Sequence, residues 1–100
     1  MSLPSRVLVT GGGSGIGAAI VRRLVDEGAR VLITGRDASK LQAIAAEAPQ
    51  QIGTLVADLT IDTDRKRVVE YASHWDHVGI DTLINNAGTS GAGFLEDSTP

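Results

Sequence analysis

The residues best suited to chemistry form one run, Thr10-Gly11-Gly12-Gly13-Ser14-Gly15-Ile16-Gly17. Glycines at this density let a backbone turn through positive φ. They also leave peptide N–H groups unshielded by a Cβ, so that a phosphate can approach them. A helix that starts inside the run adds its positive dipole end. The chemistry on offer is recognition of a pyrophosphate. Gly17 has a separate use, which is to let that helix lie close against a sheet. Three other groups of polar residues accompany the run: Arg36-Asp37 after Gly35, Asp58-Leu59, and Asn85-Asn86-Ala87-Gly88. In a nucleotide site, an acid after the second strand recognises a ribose 2′-hydroxyl, and an arginine there recognises a 2′-phosphate.

The elements that must position these groups are legible from periodicity. Arg6-Val7-Leu8-Val9-Thr10 is a β-branched apolar run ending in glycines, which predicts a buried strand. From residue 14 or 15 to 27 the period changes. Ile16, Ile20 and Leu24 recur every four residues beside Val21 and Val25, and Arg22, Arg23, Asp26 and Glu27 take the other face. This predicts an amphipathic helix that stops at Gly28. A second strand is expected over 30–34. Asp37 or Ser39 would cap a helix through Leu41, Ile44 and Ala45 that ends near Pro49. A third strand is expected over 53–57, with Asp58 at its end. A third helix opens at Asp62 and turns Val68, Val69, Ala72 and Trp75 inward. A fourth strand is expected over 80–84.

The order is β-α-β-α-β-α-β, with strands recurring at close to even spacing. Such βαβ units predict a doubly wound parallel sheet with helices on both faces, an α/β architecture of the Rossmann type. Right-handed crossovers allow the strand order 3-2-1-4, with its switch point between the first and fourth strands. Ligands in such sheets bind outside the carboxyl ends of the strands at that switch. The glycine run, Asp58 and Asn85-Asn86 all fall at those ends.

Composition narrows the classes further. The chain has 100 residues, 42% apolar and 21% charged, which suits one soluble globular domain. Phe94, Trp75 and Tyr71 are its only aromatics, so the core must be aliphatic. No apolar run is long enough to span a membrane, and no signal peptide is evident. The absence of cysteine excludes disulfides, thiolate metal sites and a cysteine nucleophile, and fits a cytoplasmic protein. A net charge of −3 gives no field that would draw nucleic acid or an acidic membrane. Arg65-Lys66-Arg67 is interleaved with Asp62, Asp64 and Glu70, and reads as a solvated helix face. Glu70, His74, Asp76 and His77 have spacings a metal could use. A histidine near a helix C-terminus is favoured there by the dipole alone, and no metal is expected.

The spacing of Gly11, Gly15 and Gly17 departs from the plain dinucleotide pattern G-x-G-x-x-G. With Thr10 and Ile16 it resembles the T-G-x-x-x-G-I-G of the short-chain dehydrogenase/reductase family. Asn85-Asn86-Ala87-Gly88 is similar to that family's N-N-A-G, and Asp58-Leu59 to its acid at the adenine. The resemblance runs from Arg6 to Pro100. It implies an oxidoreductase that moves a hydride between a nicotinamide and a carbonyl or alcohol carbon. It further implies that Gly11, Gly13, Ser14, Gly15, Ile16 and Gly17 wrap the pyrophosphate and neighbouring riboses. Asp58 would accept the adenine amino group with the Leu59 backbone close by. Asn86, Ala87 and Gly88 would line the ribose side, while Asn85 bonds backbone and braces the central strands.

The cofactor turns on Gly35-Arg36-Asp37. Counting about twenty residues from Gly17 reaches Asp37, which would read as NAD(H). In the family the selective acid aligns with Gly35, which has no side chain, and Arg36 follows at once. A guanidinium there can grip a phosphate with two hydrogen bonds. Asp37 already has a use as a helix cap. NADP(H) is therefore expected over NAD(H).

No catalytic residue is assigned. The family's acid is a tyrosine in Y-x-x-x-K, and the only tyrosine here, Tyr71, is followed four residues later by Trp75. Residues 1–100 are therefore expected to be the N-terminal dinucleotide-binding part of one Rossmann domain. The catalytic serine, tyrosine, lysine and asparagine would lie beyond Pro100, and the hundred residues alone would be inactive. The implied partners are a small carbonyl or alcohol substrate and further copies of the protein, as a dimer or tetramer. An alternative is a non-catalytic dinucleotide-binding module, or a fragment completed by another chain. An apolar fourth strand left at a sheet edge would make the isolated chain a poor monomer.

Overall fold

The computed structural model describes residues 5–13 and 15–86. Its elements are β1 (Arg6–Thr10), α1 (Gly15–Asp26), β2 (Arg30–Gly35), α2 (Ala38–Ala45), β3 (Ile52–Val56), α3 (Asp62–His74), a 3-10 turn (Trp75–His77) and β4 (Thr82–Asn85). The four strands form one parallel sheet in the order β3-β2-β1-β4, as the crossover rule predicts.

Alternation along the strands builds two cores. Val7 and Val9 of β1, with Val31 and Ile33 of β2, face Ala18 and Val21 of α1 and Leu41 and Ile44 of α2. Leu8 and Leu32 point the other way, onto Val68 and Ala72 of α3 and onto Ala57. Every residue of β1 is buried, because helices cover both of its faces and strands flank both of its edges. Full burial of each such aliphatic side chain contributes about 1.5–3 kcal/mol.

Helix faces depart from the simple period at two places. Ile16 is 74% exposed and Val69 is 59% exposed. α1 presents Gly17, Ala18 and Val21 to the sheet instead, because only small residues fit where the helix starts against β1. α3 buries Val68 and Ala72, with Trp75 partly covered, and Val69 lies one step round toward solvent. Two strand limits also move. Ile80 donates its N–H to Ala72 O, closing the end of α3, so β4 starts later than residue 80. β3 starts at Ile52, one residue early, with Val31 as its partner.

At the amino end of the sheet, Arg6 is buried. Its Nε donates to Gly79 O at 2.8 Å, and its backbone N–H donates to Asp81 Oδ2 at 3.1 Å. That N–H, followed by the Thr82 hydroxyl, holds the Asp81 carboxyl below its usual range. Asp76 and His77 carry positive φ of 58° and 67° in the turn before β4. Asp76 is held there by Arg30 Nε at 2.6 Å. Asp76 thus turns toward Arg30, while His74 pairs with Glu70 at 3.5 Å; among the described residues no three histidine or acid side chains gather as metal ligands would. Among the described residues, no helix is long and apolar enough to cross a membrane.

Candidate functional site

The carboxyl end of β1 passes into the glycine loop, and β2 organises its first turn. Gly11 and Gly12 both donate their N–H groups to Thr34 O, at 2.8 and 3.3 Å. Gly11 takes φ 68° to do so, and Gly15 takes φ 55° where the chain turns into α1. The loop N–H groups that can turn to an anion therefore start beyond Gly12. Gly11 contributes its turn and its carbonyl, not its N–H.

That carbonyl is the pivot of the site. Asn86 Nδ2 donates to Gly11 O at 3.1 Å. A Cβ on Gly17 would lie 2.0 Å from Gly11 O and 2.6 Å from Asn86 Nδ2. Gly17 is thus required by space, as the close helix–sheet approach predicts. Thr10, the last residue of β1, completes the brace. Its Oγ1 donates to Asn85 Oδ1 at 3.2 Å and accepts the Asn86 N–H at 3.0 Å. Asn85 therefore braces through the Thr10 side chain, where a backbone contact was expected. Asn86, expected at a ribose, also steadies the glycine loop. The spacing of the motifs cannot show that division of labour, because both asparagines share one dipeptide.

The ends of β2 and β3 supply the charged groups. Gly35 closes β2, and Arg36 is exposed immediately after it. Asp37 caps α2, its Oδ1 accepting the Ser39 and Lys40 N–H groups at 3.0 and 3.3 Å. It also accepts the Ser39 hydroxyl at 2.7 Å, and this bond leads the influences that lower its pKa. After β3, Asp58 Oδ1 accepts the Thr60 hydroxyl and N–H at 2.6 and 3.0 Å. These bonds, with a smaller contribution from the Arg36 charge, hold the Asp58 carboxyl below its usual range. The Asp58 N–H donates to Asp64 Oδ2 at 2.7 Å, and Leu59 O accepts from Arg65 at 2.9 Å. The Asp58 turn is thus fixed from α3, with one carboxylate oxygen given to Thr60.

Gly11, Gly13, Gly15, Ile16, Gly17, Arg36, Asp58, Leu59 and Asn86 all lie at or next to the carboxyl ends of the strands. Ser14, Ala87 and Gly88 lie outside the described residues. Tyr71 is elsewhere. It precedes Ala72, whose carbonyl receives Ile80 at the amino end of the sheet, and it is half-exposed on α3. The residues present fit a dinucleotide: a glycine loop packed closely against the start of α1 at Gly17, a helix N-terminus, and an exposed isoleucine in the first turn of that helix.

Comparison with known proteins gives the same answer. The model of the short chain dehydrogenase family matches residues 5–100. Serine 3-dehydrogenase of Agrobacterium fabrum is 43% identical over 82 residues, covering 82% of this chain and 32% of that protein. The 3-ketoacyl-(acyl-carrier-protein) reductase of Brucella melitensis, solved with NADH, superimposes with a TM-score of 0.78 at 34% identity. The match covers 87% of this chain and 36% of that one. Actinorhodin polyketide ketoreductase, solved with NADPH, gives a TM-score of 0.77 at 32% identity, covering 88% of this chain and 34% of that one. The chain thus spans about a third of the length of these relatives. From the braced glycine loop, the strand order and the matched family model, this chain belongs to the short-chain dehydrogenase family.

Proposed function

We propose that the chain is the N-terminal dinucleotide-binding part of an NAD(P)-dependent oxidoreductase that prefers NADP(H). The substrate would be a small carbonyl or alcohol, the assembly a homo-oligomer and the compartment the cytoplasm. The observation that carries the cofactor preference is the end of β2. Gly35 leaves the acid position without a side chain, Arg36 stands exposed beside it, and Asp37 is committed to capping α2. At the acid position itself a ribose 2′-hydroxyl finds no side chain, whereas beside it a 2′-phosphate finds a guanidinium.

The residues divide the binding work. N–H groups beyond Gly12 and the start of α1 would receive the pyrophosphate. Arg36 would hold the 2′-phosphate. Asp58 would accept the adenine amino group through the oxygen not given to Thr60, with the Leu59 backbone alongside. Asn86, together with Ala87 and Gly88, would line the ribose. Ile16, exposed at the loop mouth, would be covered by the cofactor and exclude water there. The nicotinamide, when bound, supplies or accepts the hydride.

The test is calorimetric titration of the chain with NADP+ and NAD+, before and after Arg36→Asp. Tighter binding of NADP+ is expected, with the preference moving toward NAD+ in the variant. A ratio of affinities unchanged by Arg36→Asp refutes the assignment of the 2′-phosphate to the end of β2.

A further inference from the structure

In a parallel ladder the N–H and C=O of one residue point to the same side, and those of the next residue to the other. Val31 donates to Gln51 O and Ala57 donates to Gly35 O, so the odd-numbered residues of β3 bond β2. Ile52, Thr54 and Val56 therefore turn their backbone groups to the outer edge, where no strand lies among the described residues. That edge is closed at both ends. Ile52 donates its N–H back to Ala48 O at 3.0 Å. At the other end Val56 O accepts Arg67 Nη2 at 2.7 Å. Between these contacts, Ile52 O, the N–H and C=O of Thr54 and the Val56 N–H have no partner among the described residues.

Arg67 belongs to the basic triplet 65–67 of α3, but it leaves the solvated face to reach β3. Its guanidinium lies 3.5 Å from Asp64 Oδ1, and Asp64 Oδ2 accepts the Asp58 N–H at 2.7 Å. The arm is thus anchored at the turn that follows β3. The strand beneath it is one that pairs readily. Residues 50–57 carry neither charge nor proline, and they include Ile52, Thr54, Leu55 and the exposed Val56. Such a run at a sheet edge is a template for its own copy.

We infer that Arg67 guards the outer edge of β3, and that the partner it excludes is β3 of a second copy of this chain. A strand added along the open stretch must also donate to Val56 O. Arg67 already fills that acceptor, and an apolar strand laid over it would have to strip water from a guanidinium. The inference stands apart from the cofactor reading and uses no residue of the nucleotide site.

The experiment is sedimentation velocity on the full chain over a concentration series, with Leu83→Lys in every sample to keep β4 from pairing. Arg67→Met is expected to associate at about tenfold lower concentration than the Leu83→Lys chain, with Arg67→Lys restoring most of the difference. Adding Thr54→Pro to Arg67→Met should reverse the association, because it removes an outward N–H and leaves the bonds to β2 in place. The Arg67 side chain is 48% exposed, so the variants should fold, and circular dichroism melts check each one. Asp64→Asn loosens the anchor without removing the arm, and should give a smaller change in the same direction. If Arg67→Met associates no more readily than the Leu83→Lys chain, the inference fails. If it associates and Thr54→Pro leaves the association intact, the surface is not the β3 edge, and the inference fails again. If Arg67→Met does not fold, Asp64→Asn decides by the same two comparisons.

Discussion

Replacing Gly17 by alanine tests whether space or conformation governs the glycine loop. The new Cβ would lie 2.0 Å from Gly11 O, 2.9 Å from Gly11 C and 2.6 Å from Asn86 Nδ2. Ordinary C···O contact needs about 3.3 Å, so α1 must retreat by more than about 1 Å. The retreat opens a gap beneath Ala18 and Val21, and a gap of that size forfeits roughly a quarter to a half of the dispersion contact there. Overpacking costs about 1–3 kcal/mol, and breaking the Asn86–Gly11 bond costs about 1 kcal/mol more. Alanine's better helix propensity returns about 1 kcal/mol. The net loss is about 1–3 kcal/mol, which lowers the melting temperature of a domain this size by roughly 4–24 °C. Gly15→Ala is the control. Nothing lies within 4 Å of its new Cβ, although its φ is +55°. Strain there costs about 1–2 kcal/mol, and the reduced freedom of the unfolded chain offsets part of it, so the melt should fall by only a few degrees. Thermal melts followed by circular dichroism, with NADP+ titration alongside, decide the matter. If Gly17→Ala melts within about 2 °C of the parent, or Gly15→Ala proves the more damaging of the two, the argument from space is wrong.

Further outcomes follow from single contacts. Asn86→Asp should destabilise the chain well beyond Asn85→Asp in the same melts. The first change removes a donor and sets a carboxylate against Gly11 O, while the second keeps the acceptor that Thr10 uses; equal effects would contradict the brace. The carboxyls of Asp37, Glu47, Asp58, Asp62 and Asp81 are all held low, mainly by hydrogen bonds from Ser39, Arg22, Thr60, Lys66 and Arg6 respectively. Depressed folded pKa values stabilise above the unfolded pKa, and that contribution is lost as pH falls through the folded values. The melting temperature should therefore hold above about pH 5 and decline below about pH 4; no decline by about pH 3 would show that these bonds contribute nothing. Gly53→Ala should shift the fluorescence of the single tryptophan to the red, because its Cβ would lie 2.8 Å from Trp75 Nε1. Unchanged emission would mean that Trp75 does not lie on β3. The hundred residues alone should self-associate through β4, whose Leu83 is 43% exposed and whose outer edge has no strand beside it among the described residues. A concentration-independent monomer in sedimentation would count against this, and Leu83→Lys should reduce the association.

The architecture was readable because each strand is a short aliphatic run closed by glycine or a polar group, and because one handedness governs crossovers. The positions of Asp58, Arg36 and the asparagines followed from the same alternation. Ile16 and Val69 were misplaced because a four-residue period finds a stripe but not which small residues let a helix approach. Gly17 and Ala18 carry that information only once Gly11 O is seen beneath them. The division of work between Asn85 and Asn86 depends on the reach of the Thr10 hydroxyl across β1 and β4, which no spacing within one segment contains. The use of the Gly11 and Gly12 N–H groups by Thr34 is likewise a contact between distant segments.

The latches on β1 also bear on how the molecule is assembled. Arg6 reaches Asp81, and Thr10 reaches Asn85, each across 75 residues of chain. Arg6 pairs with Arg30 by closing a loop about a third as long. Closure entropy grows with the logarithm of loop length, so joining β4 costs about 1 kcal/mol more than joining β2. β4 is thus the last strand to dock and the first to detach. Asn86 travels with it, so the cradle around Gly11 is complete only after that final event. A ligand of the cradle binds the finished sheet alone, and at a hundredfold excess over Kd it adds about 2.7 kcal/mol to the stability of that state. Amide hydrogens of β4 should exchange ahead of those of β2 in the bare protein and fall into step with them once nucleotide is added.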